Sequence, residues 1–154
     1  MKKTSIIFLI LLLIEGCGYA PMYSKNQKVD FYIQSIAFDD GDRDLANFIK
    51  ANLNNYFSKN TGESFIINAK IQYQKTAVSK TAEAVAEEYN LTSAISFQVK
   101  SGNVNKLINI TETSKIDNFN DEFEEREYEL TTKRSMARSI TSKLIMQLAR
   151  INVN

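Results

Sequence analysis

The scarcity of chain-breaking residues constrains this sequence most. It has five glycines and one proline in 154 residues, which leaves little material for flexible linkers or loop-rich folds. Long helices and strands joined by few tight turns are therefore expected. A chain of this length with 44% hydrophobic and 24% charged residues suits one globular domain with a single core.

The first residues have the three parts of a secretory signal. Lys2 and Lys3 precede an apolar run at residues 6–14, and the small residue Gly16 precedes Cys17. This order of charged, apolar and small residues is typical of a signal peptide, whereas a helix that crosses a bilayer needs about 20 apolar residues. We predict that residues 1–16 are removed.

Cys17 is the only cysteine and is predicted to carry a lipid. The sequence Ile-Glu-Gly-Cys that ends at Cys17 resembles the lipobox of bacterial lipoproteins, from which Glu15 departs. A lone free thiol at the start of a secreted protein is the alternative, but in an oxidising compartment it would form intermolecular disulfides. Residues 17–28, with Pro21, are then an extended, lipidated tether, and residues 29–154 are a single α+β domain.

Alternating apolar and polar residues predict four strands, at residues 29–38, 64–78, 91–100 and 104–116. The first is expected to place Phe31, Ile33 and Ser35 on one face and Tyr32, Gln34 and Ile36 on the other. The second should turn inward the apolar residues at odd positions, namely Phe65, Ile67, Ala69, Ile71, Tyr73 and Ala77. Residues 80–90 could be a helical turn or strand extensions around a long hairpin, and their pattern leaves both open.

Two helices complete the order β-α-β-β-β-α. The first is predicted at residues 43–58, with a stop at Asn60, Thr61 and Gly62. Its preceding aspartates, Asp39, Asp40 and Asp42, could be metal ligands, but capping of the helix is the favoured reading. The second is predicted from the cap residues at 118–121 to residue 151. At about 1.5 Å per residue it would measure roughly 45 Å, so its acidic first turns are expected to project beyond the sheet.

The inward stripes of the two predicted helices follow from spacings of three and four residues. For the first helix the stripe is Leu45, Phe48, Ile49, Leu53, Tyr56 and Phe57, and for the second it is Leu130, Ala137, Ile140, Thr141, Leu144, Leu148 and Ile151.

The sequence lacks the residues and motifs that catalytic sites commonly use. It has no histidine, the commonest acid–base residue and transition-metal ligand, and no glycine-rich phosphate loop or Gly-x-Ser-x-Gly elbow. The carboxylate pairs at 87–88 and 124–125 lie in charge-rich runs that we expect to be solvated. We therefore expect a binding protein with no metal and no cofactor except the covalent lipid on Cys17.

Charge argues against nucleic acid as a partner. Removal of Lys2, Lys3 and Glu15 with the signal leaves 17 basic and 17 acidic side chains. A nucleic-acid-binding protein would usually show a strongly basic balance or a basic stripe.

The mature start and the element order together resemble the LptE family of lipopolysaccharide-assembly lipoproteins, in its alphaproteobacterial type. The family pattern Cys-Gly-aromatic-x-Pro-x-Tyr is met by Cys17, Gly18, Tyr19, Pro21 and Tyr23. The family's third segment resembles the Tyr-Asn-Leu-Thr at residues 89–92, and its last helix likewise begins acidic and continues through alanines and arginines. The resemblance covers essentially the whole mature chain, but Glu88 stands where many relatives have a basic residue.

This resemblance implies an architecture, a place and partners. The domain would have two layers, with two helices on one face of a four-stranded, mostly antiparallel sheet. It would plug and support the outer-membrane β-barrel LptD, and the two proteins together would place lipopolysaccharide in the outer leaflet. Gly18 after the cysteine, rather than an aspartate, implies release to the periplasmic side of the outer membrane.

Direct contact with lipopolysaccharide would need cations for its phosphates, and we predict Lys100, Lys106 and Lys115 for that role. Two other binding roles stay open at this point. The chain could be an auxiliary lipoprotein of another envelope lipid transporter, or a lipoprotein that activates a cell-wall synthase. The native partner would separate the three.

Overall fold

The computed structural model describes residues 31–57, 62–80, 86–119 and 121–151. The strands are β1 (Phe31–Phe38), β2 (Glu63–Lys80), β3 (Ala86–Ser101) and β4 (Val104–Asp117). The helices are α1 (Arg43–Asn52) and α2 (Glu122–Ile151), with a 3₁₀ turn at Asn54–Tyr56. The predicted α+β order is confirmed, while the predicted signal, Cys17 and the tether lie outside the described residues.

The four strands form one sheet in the order β1-β2-β3-β4. β1 runs parallel to β2, and the other two pairs are antiparallel. A parallel pair needs a long crossover, which α1 supplies, whereas a two-residue turn at Gly102 and Asn103 suffices between β3 and β4. In the described part of the chain, no helix combines the length and the apolar character that crossing a bilayer requires.

Both helices pack on the same face of the sheet. That face contributes the fully buried Phe65, Ile67, Phe97 and Val99, and the helices add two apolar stripes. The stripes consist of Leu45 and Ile49 on α1, continued by Leu53 just after it, and of Met136, Ala137, Ile140, Leu144 and Leu148 on α2. Most of each predicted helix face is thus confirmed, but Leu130 and Phe48 are only partly buried and Met136 is buried without having been predicted. The opposite face of the sheet carries no helix of the described chain.

A β-bulge in β1 changes the predicted inward set. Ile33 pairs with Phe65 but Ser35 pairs with Ile66, so Gln34 is an extra residue opposite no partner. An extra residue reverses the alternation after it. Ile36 is therefore buried and Ser35 exposed, and the prediction that Ser35 faces inward is wrong.

The N-terminal ends of both helices follow the predicted capping. The Asp42 carboxylate accepts a hydrogen bond from the Leu45 N–H at 2.9 Å, and Asp121 accepts one from the Phe123 N–H at 2.7 Å. These bonds satisfy free donors of the first helical turn. α1 ends at Asn52, before the predicted residue 58, because the chain tightens into the 3₁₀ turn.

At residues 80–90 the structure describes strand extensions at both ends, while residues 81–85 lie outside the described residues. β2 reaches Lys80, β3 starts at Ala86, and these two residues pair.

β2 has 18 residues, about 60 Å at about 3.3 Å per residue, and so exceeds the length of α2. The expectation that α2 projects beyond the sheet is wrong, because Glu125 in its first turns contacts Lys75 of β2. The alternation in β2 also predicts that Ala77 faces inward, but Ala77 is exposed.

Gly41 allows the loop between β1 and α1 to lie directly on β2. Its φ is +122°, and a Cβ atom there would lie 2.3 Å from the carbonyl oxygen of Ile71. Only glycine combines this backbone conformation with so close an approach.

We predict that Gly41→Ala lowers the free energy of unfolding by about 3 kcal/mol, since backbone strain and a backbone clash add. Gly102→Ala is the matched control. The φ of Gly102 is +51° and a Cβ atom there would meet nothing within 4 Å, so the free energy of unfolding should fall by only about 1 kcal/mol. Urea unfolding measures both. Equal losses in the two variants would contradict this account of Gly41.

Candidate binding surface

The face of the sheet that the described helices leave uncovered is the candidate surface, and we call it the open face. Strand register defines it in rows across β2, β3 and β4. The central row is Gln72, Ala94 and Thr111; its neighbours on either side are Lys70, Ser96 and Asn109, and Gln74, Thr92 and Thr113.

Uncharged polar side chains dominate the open face. Amides and hydroxyls both donate and accept hydrogen bonds, as the Thr92 and Thr113 hydroxyls do with each other at 3.3 Å. Two large apolar side chains interrupt the polar array near the β3–β4 turn, Ile66 with 40% and Leu107 with 62% of its surface exposed. Such a mixture suits a hydrogen-bonded protein interface, although a merely solvated sheet face can also be polar.

The structure does not bring the three predicted lysines together. Lys100 and Lys115 are both exposed on the open face, but at opposite ends of the β3–β4 hairpin. Lys106 pairs with Val99, whose side chain is buried, and therefore belongs to the helix-covered face. Lys115 also has an ion-pair partner, Glu88, at 3.5 Å. A shared cationic site built from these three residues does not form.

A polar cluster under α2 was not foreseen from the sequence. Lys133 of α2 has only 9% of its side chain exposed. Its ammonium lies 2.7 Å from the Asp42 carboxylate and 3.3 Å from that of Glu129. It also lies 4.4 Å from the centre of the Tyr73 ring.

Tyr73 and Lys75 of β2 complete this cluster. The Tyr73 hydroxyl donates to Glu129 at 2.8 Å, and Lys75 forms ion pairs with Glu125 and Glu129. The cluster therefore joins the N-terminus of α1, the middle of β2 and the first half of α2. The sequence does indicate these two lysines, because Lys133 and Lys75 occupy positions that the apolar periodicity of α2 and β2 predicts to face inward.

The shifted pKa values favour the charged forms of Glu129 and Lys133 and the neutral form of the Tyr73 hydroxyl. Burial disfavours the carboxylate of Glu129, but hydrogen bonds from Tyr73, Lys75 and Lys133 outweigh it, and the pKa falls below its ordinary value. Burial likewise disfavours the Lys133 ammonium, yet Asp42 and Glu129 raise its pKa. Burial and the hydrogen bond to Glu129 raise the pKa of Tyr73. The cluster thus contributes most when its carboxylates are ionised.

Of the carboxylate pairs at 87–88 and 124–125, the structure describes the side chains of Glu88, Glu124 and Glu125. Glu88 and Glu125 are each engaged by a lysine, and Glu124 is exposed. Among the residues that the structure describes, no three carboxylates or other ligands converge to hold a metal ion. The absence of catalytic activity stays a prediction.

Solved bacterial lipoproteins share this fold at low sequence identity. The rare lipoprotein B of Shewanella oneidensis superposes with a TM-score of 0.60 and 16% identity, over 80% of this chain and 97% of that one. Lipoprotein B of Nitrosomonas europaea superposes with a TM-score of 0.58 and 12% identity, over 79% of this chain and 83% of that one. The minor lipoprotein of Acinetobacter baumannii superposes with a TM-score of 0.56 and 12% identity, over 79% of this chain and 92% of that one.

No protein-family model and no curated protein matches the sequence. The structural likeness therefore establishes a fold found in bacterial lipoproteins, and the role of the chain has to be argued from its own surfaces.

We predict that Lys133→Met lowers the free energy of unfolding at pH 7 by about 2–3 kcal/mol, because it leaves Asp42 without its cation and Glu129 with Lys75 alone. Lys143→Met is the control: Lys143 is half-exposed and pairs with Glu112, so a loss below about 1 kcal/mol is expected.

The loss in Lys133→Met should shrink in acid. The pKa of Glu129 is lowered in the folded chain, so its stabilisation is complete above its ordinary pKa of 4.5 and is lost as the pH falls through the folded value. Urea unfolding at pH 7 and pH 3 measures the change. A loss that is the same at both pH values would show that the cluster does not act through ionised carboxylates.

Proposed function

We propose that this chain is an outer-membrane lipoprotein whose α+β domain plugs and supports an LptD-type β-barrel during the assembly of lipopolysaccharide. The observation that carries the proposal is the open face: a broad sheet surface of amides and hydroxyls that no described element covers.

A plug must fit a polar lumen without being repelled by it. On the open face the described charged side chains are few, and they are dispersed: Lys70 near the middle, Lys100 at one end, and Lys115 beside Glu88 and Asp117 at the other. Asn, Gln, Ser and Thr between them can hydrogen-bond to lumen side chains of either polarity. The face can therefore dock by many weak polar contacts.

A plug must also be rigid. The long β2–β3 and β3–β4 ladders are covered on one side by two helices and a single apolar core. Asp42 links the start of α1 to Lys133 of α2, so the helical layer is bound together as well as to the sheet. A domain built in this way can present its open face without rearrangement.

The predicted lipid on Cys17 would supply the membrane attachment. At about 0.8 kcal/mol per buried methylene, more than one acyl chain gives a stable anchor. Residues 17–28 would then connect the anchor to the domain that starts near Phe31. The shared fold with bacterial lipoproteins supports this placement.

Contact with lipopolysaccharide itself rests on weaker support. Lys100 is exposed on the open face, but Lys106 lies on the opposite, helix-covered face and Lys115 at the far end of the β3–β4 hairpin, so the three do not form one phosphate site. We therefore propose scaffolding of the barrel as the main role and treat each of the three lysines as a separate candidate contact.

We predict that Ala94→Arg abolishes most barrel binding, because it places a long charged side chain at the centre of the open face without touching the core. Recovery of the β-barrel with tagged chain from outer membranes should fall at least about tenfold, the loss that follows from about 1.4 kcal/mol. Ser142→Arg, on the exposed side of α2, should leave recovery unchanged.

Mass spectrometry of the co-purified partner decides between the roles. Recovery of a transporter subunit or a cell-wall synthase in place of a β-barrel would reject the plug role. Equal recovery of the barrel with Ala94→Arg and with Ser142→Arg would reject the open face as its contact surface.

A further inference from the structure

In the part of the chain that the structure describes, one edge of β2 has no neighbouring strand over its second half, because β1 is much shorter. β1 pairs with β2 only from Glu63 to Ala69, and the last bond on this side runs from the Ile71 N–H to the Asp40 carbonyl at 3.3 Å. β2 continues to Lys80. We call the β1-side edge of residues 72–78, beside which no described strand lies, the bare edge.

The backbone of the bare edge is oriented to accept another strand. The Ala69 carbonyl and the Ile71 N–H both face the β1 side, since they bond to Asp39 and Asp40. Backbone groups alternate in direction along a strand, so Tyr73 and Lys75 also direct their N–H and C=O groups to this side. Unpaired edges of this kind are sites where extended segments add to a sheet.

An acidic groove lies next to the bare edge. It has a volume of about 560 Å³ and is lined by residues from the starts of both helices, among them Asp44, Glu122 and Leu130. Two further lining residues, Glu125 and Glu129, contact Lys75 of β2. The groove is thereby fixed beside the unpaired part of β2.

The charge of this region is balanced only in part, since four carboxylates but only two cations, Arg126 and Lys133, line the groove. Lys75 and Lys133 engage Glu125, Glu129 and Asp42. Glu122 and the exposed Asp39 and Asp40 at the end of β1 have no ion pair with any described cation. An added strand would direct every second side chain toward the helical layer, where negative charge and the apolar Leu130 would meet it.

We propose that the bare edge binds an extended segment of a partner protein, which carries Lys or Arg at alternate positions and pairs with the backbone of Tyr73 and Lys75. The outer edge of β4 is also unpaired in the described chain, but it fits a different occupant, because Glu112 is neutralised by Lys143 there and Lys106 and Lys115 are exposed. This interaction is separate from the open face and does not depend on the plug role.

The probe is a nine-residue peptide of alternating lysine and valine, titrated into the full-length natural protein in detergent and read by fluorescence anisotropy and by amide exchange in NMR. Binding should be at least about tenfold tighter than that of the matched glutamate–valine peptide. It should also weaken at least about tenfold when alternate peptide nitrogens are methylated, because methylation removes the donors of a strand pair. The amides of Tyr73 and Lys75 should become protected from exchange.

A matched pair of charge reversals tests the groove. Glu122→Lys should weaken binding of the lysine–valine peptide about fivefold, whereas Glu127→Lys, exposed on α2 and outside the groove, should change it less than about twofold. Circular dichroism checks that both variants stay folded. Absence of binding, equal binding of the methylated peptide, equal effects of the two reversals, or protection of β4 amides in place of Tyr73 and Lys75 would each overturn the proposal.

Discussion

The burial of one face of the sheet under two helices is the contact on which the rest of the molecule depends. The buried aromatic and aliphatic residues of β1 to β4 meet the apolar stripes of α1 and α2 in one continuous core. At about 25 cal/mol per Å² of apolar surface removed from water, this contact is the main favourable contribution to folding. Because the helices occupy only one face, the other face is free to present polar side chains, and the surface proposed to meet the barrel is a direct consequence of the topology.

The polar cluster around Lys133 fixes how this contact is made. Apolar stripes alone allow a helix to slide or rotate on a sheet with little loss of buried area, whereas a buried ammonium has a large penalty in any position without its carboxylates. Lys133 pairs with Glu129 within α2, but it meets Asp42 and the Tyr73 ring only when α1, α2 and β2 are all in register. Asp42 has a double role, since the same carboxylate caps α1 and pairs with Lys133.

Much of this fold could be predicted because its signals are local. The odd residues of β2, the capping aspartates and the Gly102 turn each depend on a few neighbouring residues. What could not be predicted depends on pairing between distant segments. The bulge at Gln34 is visible only through its partner on β2, and the length of the β2–β3 hairpin depends on the pairing of Lys80 with Ala86. The partners of Lys133 are 91 residues and four residues away along the chain, so the sequence could mark it as an outlier without saying what it contacts.

The proposed function joins a lipid anchor at one end of the chain to a polar sheet face in its folded domain. Site-specific photo-crosslinking in cells tests the central claim most directly. A photoreactive residue placed at Thr111, in the central row of the open face, should crosslink to an outer-membrane β-barrel, while one at Ser135 on the exposed side of α2 should not. Crosslinks to the barrel from Ser135 alone, or from neither position in a strain that assembles lipopolysaccharide normally, would contradict the account.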